Sequence, residues 1–398
     1  MKNSIKNKHV LFVVENNSVP FDTRVWNEAR SIRKICDNVS VICQKPRNES
    51  ASFKIIDGIK IYMYPNPIQG SGVIGLIIEY IAAFFFISLY SLLIYIKTPY
   101  NIVHIANPPD FLSMIYFPYK LFNVKIIFDH HDPSPELFYS KFEKRGVLYK
   151  LMIILERISY KISDYVITVN DLCRKVTAER NKKKIRDIVV VSNCPNLPEM
   201  KINEDKHNKN KGYYIIVYLG IIGKRDNLEK LVHSIEYIVI KKQFKNFRVL
   251  VIGDGPNLSN VKDLVNRKKL KPYFIFHGFE YDKKKLYSLL STADICVDSE
   301  EYNEESKIAT PIKIMEYMAV GKPIIQYNMG GGKSIAGRSS LYVQNNDEEL
   351  FGDAILKLLA DEKTREKMGK IGRKRIEEKF QWAVQEKKLI NLYYKVMS

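Results

Sequence analysis

Short runs of β-branched and aliphatic residues, each bounded by polar or glycine positions, recur along the first half of the chain. They fall at 10–14, 39–43, 59–63, 101–106, 124–128, 165–169 and 188–191, and each reads as a strand. Between them apolar residues return at helical spacing. Asp22 is placed to cap a helix over 23–34 whose Val25, Ala29 and Ile32 face inward, and 109–122 and 147–163 read as further helices. Strand followed by helix is the order of a parallel α/β sheet. The alternation lapses at 195–212, where lysine, asparagine and proline replace apolar residues as in an exposed linker, and then resumes. Strands are expected at 214–219, 248–252, 274–276, 295–297 and 323–325, with helices at 228–240, 258–269 and 283–291. A further helix opens near Pro311 and stops at Gly321, and helices over 348–360, 363–379 and 381–397 close the pattern. The expected organisation is two α/β domains, 1–197 and 198–380, followed by a helix over 381–398.

One segment departs from the amphipathic rule. Residues 73–96 carry a single charge, Glu79, and as a helix would reach roughly 36 Å at about 1.5 Å per residue, longer than a hydrocarbon core of about 30 Å. Topology argues against a span, because the strands at 59–63 and 101–106 read as parts of one sheet and would be left on opposite sides of the bilayer. Two placements remain: a helix packed under the first domain, or one lying in a membrane interface with Phe84, Phe85, Phe86, Leu89 and Leu92 toward lipid.

Charge bears on that choice. Among 398 residues, 63 Lys+Arg exceed 44 Asp+Glu for a net charge of +19, which points to nucleic acid, acidic lipid or a phosphorylated substrate. A lysine-rich composition with abundant Ile, Asn and Tyr gives the same charge without any partner. The lysine runs 182–184 and 283–285 lack interleaved aromatics and no helix-turn-helix, zinc-finger or RNP-like signature occurs, so a membrane surface is expected and nucleic acid is not. At 46% hydrophobic the chain is ample for two packed domains. Its five cysteines are scattered, with no Cys-x-x-Cys pair, and read as free thiols of a reducing compartment. The polar opening 1–8 and the short apolar run after it read as the approach to a strand rather than a leader, so a cytoplasmic protein on the inner membrane surface is expected.

The candidate chemistry follows strands, where a parallel sheet places ligands. Lys313 and Glu316 lie three apart on one helix face, near an N-terminus opened by Pro311 whose free amides and positive dipole suit a diphosphate. Glu316 can accept from two ribose hydroxyls and Lys313 can offset phosphate charge; on an ordinary amphipathic helix the two would form only a surface ion pair. Gly253 and Gly255 follow a strand and open a helix, a setting that lets a backbone approach a nucleotide, and Gly223, Lys224 and Arg225 occupy the loop after the strand at 214–219. Gly331, in the run 329–334, is a candidate for an amide nest or part of a flexible turn. In the first domain Asn17 lies in the loop 15–22, and the strand at 124–128 delivers Asp129, His130, His131 and Asp132 to a loop. Consecutive histidines on an extended chain point apart and no third ligand group follows at metal-site spacing, so no metal is expected there.

The run Glu316-Tyr317-Met318-Ala319-Val320-Gly321-Lys322-Pro323 resembles the donor-site helix of glycosyltransferase family 4, retaining enzymes of the GT-B fold. With Lys313 before it, the run is similar to a bacterial cell-surface polysaccharide subgroup in which a lysine precedes Glu-Tyr-Met-Ala. Family members carry an earlier glutamate eight positions before the one matching Glu316; here that position is Ile308, and the glycine-rich turn usual after it is absent. Pro20-Phe21-Asp22-Thr23-Arg24-Val25-Trp26, His131-Asp132 and Pro133-Ser134-Pro135-Glu136-Leu137-Phe138 resemble further motifs, while asparagines stand in the loop 15–22 where the family has glycines.

The resemblance implies two Rossmann-like parallel-sheet domains facing a central cleft, with the final helix packing back on the first domain. It implies transfer of a sugar from a nucleotide-diphosphate sugar to a lipid-linked or oligosaccharide acceptor in surface-polysaccharide synthesis, with no metal or other cofactor required. His131, Lys313 and Arg225 are the expected catalytic residues. Glu316, Lys224, Gly223, Gly253, Gly255, Pro311 and Gly331 are expected to bind the donor, and Asp132, Glu136 and Asn17 to lie on the acceptor side. A GT-B sugar-nucleotide epimerase and a catalytically idle, membrane-bound partner subunit are the alternative readings.

Overall fold

The computed structural model describes residues 5–46, 49–65, 72–142, 145–195, 212–300, 308, 310–328, 330–344 and 346–397. Two compact units divide the chain: Met1–Ser192 with Gln385–Ser398, and Asn193–Val384.

The first unit runs β1 (His9–Val13), α1 (Thr23–Arg33), β2 (Asn38–Gln44), β3 (Phe53–Ile56), β4 (Ile59–Tyr64), α2 (Gly72–Lys97), β5 (Ile102–Ala106), α3 (Ser113–Tyr116), β6 (Lys125–His130), α4 (Ser134–Phe142), α5 (Val147–Ile162), β7 (Tyr165–Thr168), α6 (Asp171–Asn181) and β8 (Ile188–Val190). Its sheet has the order β3-β4-β2-β1-β5-β6-β7-β8, parallel except where β3 meets β4. The order reverses at β1, which pairs with β2 on one side and β5 on the other. β1 and β5 are buried along their whole lengths, which is why they read as unbroken apolar runs. Asp22 caps α1 as expected, accepting from Val25 N at 2.9 Å.

Local differences from expectation have local causes. The helix expected over 109–122 breaks into a 3-10 turn at Asp110–Leu112, the single turn α3, and another 3-10 turn at Pro118–Phe122, since Pro118 has no amide proton to continue the ladder. β6 runs on to His130, so Asp129 and His130 sit in the sheet rather than in a loop. β3 alternates exposed and half-buried positions at the sheet edge and leaves no strong apolar run.

α2 lies between β4 and β5 in the chain, and both strands belong to the one sheet. Ala83, Ile87, Ser91 and Ile94 bury one of its faces, while Ile81, Phe85, Leu89, Leu92 and Ile96 are exposed. The stretch Ile77–Lys97 is long and apolar enough to cross a bilayer, but only 22% of it is buried within the protein.

The second unit runs β9 (Tyr214–Leu219), α7 (Leu228–Ile240), β10 (Phe247–Ile252), α8 (Leu258–Arg267), β11 (Phe274–Gly278), α9 (Lys283–Ser291), β12 (Ile295–Asp298), α10 (Ile312–Ala319), β13 (Ile324–Tyr327), α11 (Gly330–Ala336), β14 (Ser340–Val343), α12 (Glu348–Ala360) and α13 (Glu362–Lys379). Its sheet, β11-β10-β9-β12-β13-β14, is parallel throughout and reverses at β9. The last helix, α14 (Trp382–Met397), carries the chain back into the first unit from Gln385 onward. There Gln385 accepts from Ser192 N at 3.0 Å, and the Tyr393 hydroxyl lies 2.8 Å from His104 Nδ1. The boundaries read from composition, 197/198 and 380/381, therefore fall at 192/193 and 384/385. The linker stretch 195–212 lies, apart from its two ends, outside the described residues.

Candidate functional site

At the reversal point of the second unit, β9 and β12 end side by side and their loops part, which is where doubly wound sheets take ligands. α10 is pinned there. The Tyr317 hydroxyl accepts from Leu219 N at 2.7 Å and lies 3.2 Å from Val297 O, tying the helix to the ends of both strands. Pro311 occupies the N-cap, and Gly321, at φ +69°, ends the helix.

Lys313 is nearly buried. Its Nζ lies 2.8 Å from Asp298 Oδ1, 3.3 Å from Asp226 Oδ1 and 5.2 Å from the centre of the Tyr218 ring. Burial opposes its charge, yet Asp298, Tyr218, Glu300 and Asp226 hold its pKa well above the ordinary lysine value. Arg225 Nε stands 3.1 Å from Glu300 Oε1. Burial pushes Glu300 up to about 7, against the pull of Lys313 and Arg225. Asp298 Oδ2 is buried with no hydrogen-bond partner among the described residues. Lys313 thus neutralises carboxylates of its own unit.

Lys313 and Glu316 do not form the surface pair their spacing allowed, because Glu316 is buried, Lys313 is nearly so, and each has other partners. Glu316 Oε1 is 3.5 Å from Lys283 Nζ of α9; burial raises its pKa while Lys283 works to lower it. Lys224 is exposed in the loop after β9.

The glycines serve the fold first. A Cβ on Gly253, at φ +142°, would lie 1.9 Å from Gly220 O, and one on Gly255 would lie 2.5 Å from Ile222 O. The loops after β9 and β10 touch backbone to backbone, with Ile222 N donating to Asp254 O at 2.9 Å. Space expected to admit a nucleotide is therefore filled at these two positions by the neighbouring loop. Gly223 N donates to Asp226 Oδ2 at 3.3 Å and so helps set the carboxylate beside Lys313. Residues 330–336 form α11 rather than an open nest, with Gly331 buried; Met329 lies outside the described residues.

A second buried charge network lies near the reversal point of the first unit. Arg24 of α1 donates to both oxygens of Asp129 at 2.7 Å, and to Val191 O at 3.0 Å. Glu28 stands 3.3 Å from Arg24 through one oxygen and 3.3 Å from His104 Nε2 through the other. Burial disfavours charge on Asp129, but Arg24, His104 and His131 hold its carboxyl well below the usual range. His104 is likewise pushed up to about 9, since Glu28 and Asp129 outweigh its burial.

His131 Nδ1 is 3.3 Å from Asp129 Oδ2, and that carboxylate raises its pKa in spite of burial. His130 turns the other way, 2.8 Å from the Tyr160 hydroxyl, and burial drives it down to about 3. The consecutive histidines diverge as expected. Asp132 is half exposed, 3.9 Å from His131 Nε2, and exposed Asn17 accepts from Ser18 N at 3.0 Å. Glu136 is revised: it is buried, and Arg180 Nη1 lies 2.6 Å from its carboxylate, so its charge is taken within the unit instead of being held out to an acceptor.

The motifs passed over Asn107, Asp110, Asp226, Asp298 and Glu300. Asn107 Oδ1 accepts from His131 N at 2.9 Å and Asp132 N at 3.1 Å, while its Nδ2 donates to Asp110 Oδ1 at 2.7 Å. One amide thereby fixes the His131 loop against the turn after β5. The available signal was a pair of polar residues flanking two prolines at a strand's end. Two buried groups bring three ligand-type atoms within 4.8 Å: Glu28, His104 and Asp129, and Asp110, His130 and Glu156. In each an arginine already serves the carboxylates, Arg24 in the first and Arg180, 2.9 Å from Glu156 Oε2, in the second.

Two doubly wound parallel units define a GT-B fold. A sucrose-phosphate synthase from Thermosynechococcus elongatus aligns over 98% of this chain and 99% of its own, with a TM-score of 0.79 at 17% identity. HepE from Anabaena, in complex with UDP-glucose, aligns over 97% and 99% with a TM-score of 0.71 at 11% identity. Residues 199–375 match the family model of Glycosyl transferases group 1. The capsular polysaccharide biosynthesis glycosyltransferase CapM of Staphylococcus aureus is 23% identical over 63% of this chain and 66% of its own. The chain spans less than two thirds of the length of CapM and of two other curated relatives, matched over 42% and 46% of theirs.

Proposed function

We propose that the protein is a retaining glycosyltransferase that moves a sugar from a nucleotide-diphosphate sugar to a lipid-linked glycan during surface-polysaccharide synthesis, on the cytoplasmic face of a membrane. The observation that carries this is Glu316: a carboxylate kept buried on α10 at the reversal point, its pKa raised by burial, with Lys283 as its nearest charged partner. A fold gains little from such a group unless a ligand uses it. A ribose diol would offer it two hydroxyl donors. Similarity of residues 199–375 to group 1 glycosyltransferases supports the donor, HepE's complex with UDP-glucose supports its class, and CapM supports the polysaccharide setting.

In this reading the acceptor oxygen forms its bond to the anomeric carbon on the face from which the diphosphate departs, and the acceptor proton passes to the departing phosphate oxygen. Lys224 and Arg225 in the loop after β9, with the N-terminus of α10, meet the charge of the leaving group. Lys313 sets the positions of Asp226 and Asp298 beneath that loop. His131 orients the sugar, its imidazole steadied by Asp129. The idle-subunit reading rests on one specific feature, the buried Ile308 in place of the family's first glutamate.

Incubation with a panel of UDP- and GDP-sugars, with and without a polyprenyl-diphosphate glycan, tests the assignment. Nucleotide release that depends on acceptor, with the anomeric configuration retained, is expected. Conversion of the donor sugar without acceptor would replace transfer with epimerisation, and silence with every donor would leave only the partner role.

A further inference from the structure

The first unit contains a cavity of about 560 Å³, a ligand-sized volume, walled by α2, α4, α5 and the turn after β5. Ile81 and Phe84 of α2, Leu137 of α4 and Met152 and Leu155 of α5 make its lining apolar. Three residues with polar groups interrupt that lining, Tyr80, Ser134 and Asp110. Asp110 is 4% exposed; its Oδ1 accepts from Asn107 at 2.7 Å and Ser134 at 2.9 Å, while its Oδ2 is buried with no partner among the described residues. The cavity therefore has a hydrocarbon body and one acceptor-bearing end. Through Asn107 that end is joined to the loop carrying His131 and Asp132.

The surroundings indicate what enters. Ile81 is 65% exposed, so the same helix that walls the cavity also presents Phe85, Leu89, Leu92 and Ile96 to the outside. Alongside it, Tyr95 packs on Phe122 at 5.9 Å between ring centres, and Leu121 and Phe122 are exposed. Over 72–97, 110–125 and 145–162 the acidic residues are Glu79, Asp110 and Glu156, the last two buried; every other charge is a lysine or arginine. An apolar surface bearing an excess of cations complements an anionic bilayer, and a cavity walled by that surface is reached through hydrocarbon rather than water.

We propose that this cavity holds part of the hydrocarbon tail of the lipid-linked acceptor, received from an anionic bilayer on which the bare face of α2 rests. This rests on the lipid-linked acceptor of the reading above and names the part of the first unit that recognises it. α2 then has two faces of lipid contact: the bilayer outside and a single chain within.

The test uses the full chain and a dansyl-labelled undecanol as probe. Saturable, one-to-one enhancement of emission is expected, with displacement by dodecanol. Ile81→Trp and Met152→Trp, which fill the cavity from opposite walls, should each weaken the probe at least tenfold; Phe85→Ser, outside the lining, should leave it unchanged while reducing sedimentation with phosphatidylcholine vesicles containing phosphatidylglycerol. Thermal unfolding of each variant controls for folding. Absence of saturable binding, or wild-type binding by either filled variant that retains its fold, overturns the cavity assignment. Titration with UDP- and GDP-sugars on the same preparations separates the two readings: sugar-nucleotide binding without probe binding removes the tail site alone, whereas probe binding without nucleotide binding removes the donor assignment alone.

Discussion

Lys313 Nζ lies 2.8 Å from Asp298 Oδ1, and this contact joins the helix that carries Glu316 to the strand at the reversal point of the second unit. With Asp226 at 3.3 Å the same ammonium also holds the loop after β9. One charge cluster thus holds α10, β12 and the loop after β9 together.

Removing that ammonium leaves Asp298 and Asp226 buried without their countercharge. Lys313→Met should cost about 3–5 kcal/mol in denaturant unfolding, the scale for breaking a buried pair from one side. Lys313→Met combined with Asp298→Asn should recover part of the loss. A single variant as stable as wild type would show that the cluster does not hold α10.

Glu316 should behave in the opposite sense. Its folded-state pKa is raised, chiefly by burial, so its ionised form costs stability as pH rises above the ordinary glutamate value. Glu316→Gln is expected to leave the unfolding midpoint at pH 8 unchanged or higher while weakening nucleotide-sugar affinity by about tenfold or more, the worth of a charged hydrogen bond or two. Unaltered affinity by calorimetry would remove Glu316 from the donor site.

A third expectation concerns alkaline pH. The folded-state pKa of His104 is raised from 6.5 to about 9, so the bound proton contributes stability that is complete below pH 6.5 and disappears as pH rises through about 9. The melting temperature of the wild type should fall between pH 7 and 9.5. His104→Gln should flatten that fall, and an equal slope in both proteins would mean that Glu28 and Asp129 do not retain the proton.

The contact between the loops after β9 and β10 predicts an asymmetry among glycines. Gly253→Ala puts a methyl carbon 1.9 Å from Gly220 O, which no rotamer can relieve, and should destabilise by more than about 2 kcal/mol. Gly146→Ala, at the N-cap of α5 where nothing lies within 4 Å, should cost about 1 kcal/mol or less, the difference between the two residues at a cap. Chemical denaturation of the two variants, side by side, decides it.

The alternation of strand and helix was legible because the inner β-strands of these sheets are largely buried on both faces and read as apolar runs; β1 and β5 are the plainest cases. β3 was not legible, since an edge strand with exposed positions leaves a weak trace. Lys313 and Glu316 could be placed on one helix from their spacing, but spacing says nothing of what surrounds that helix, and Asp226 and Asp298 come from segments distant in the chain. Gly253 shows the same limit. A glycine after a strand signals a close approach of some kind, and only the fold reveals that the approaching group is Gly220 O. The network joining Arg24, Glu28, His104 and Asp129 draws on α1, β5 and β6, so no single stretch contains it.

The placement of α14 bears on how the protein is made. Its Tyr393 hydroxyl meets His104 in the interior of the first unit, yet that tyrosine is translated only after the sequence of the second unit. The first unit therefore waits with an open seam beside β5 for a helix not yet made. A chain ending before Gln385 would carry the whole sequence of the second unit and still leave the first unit incomplete.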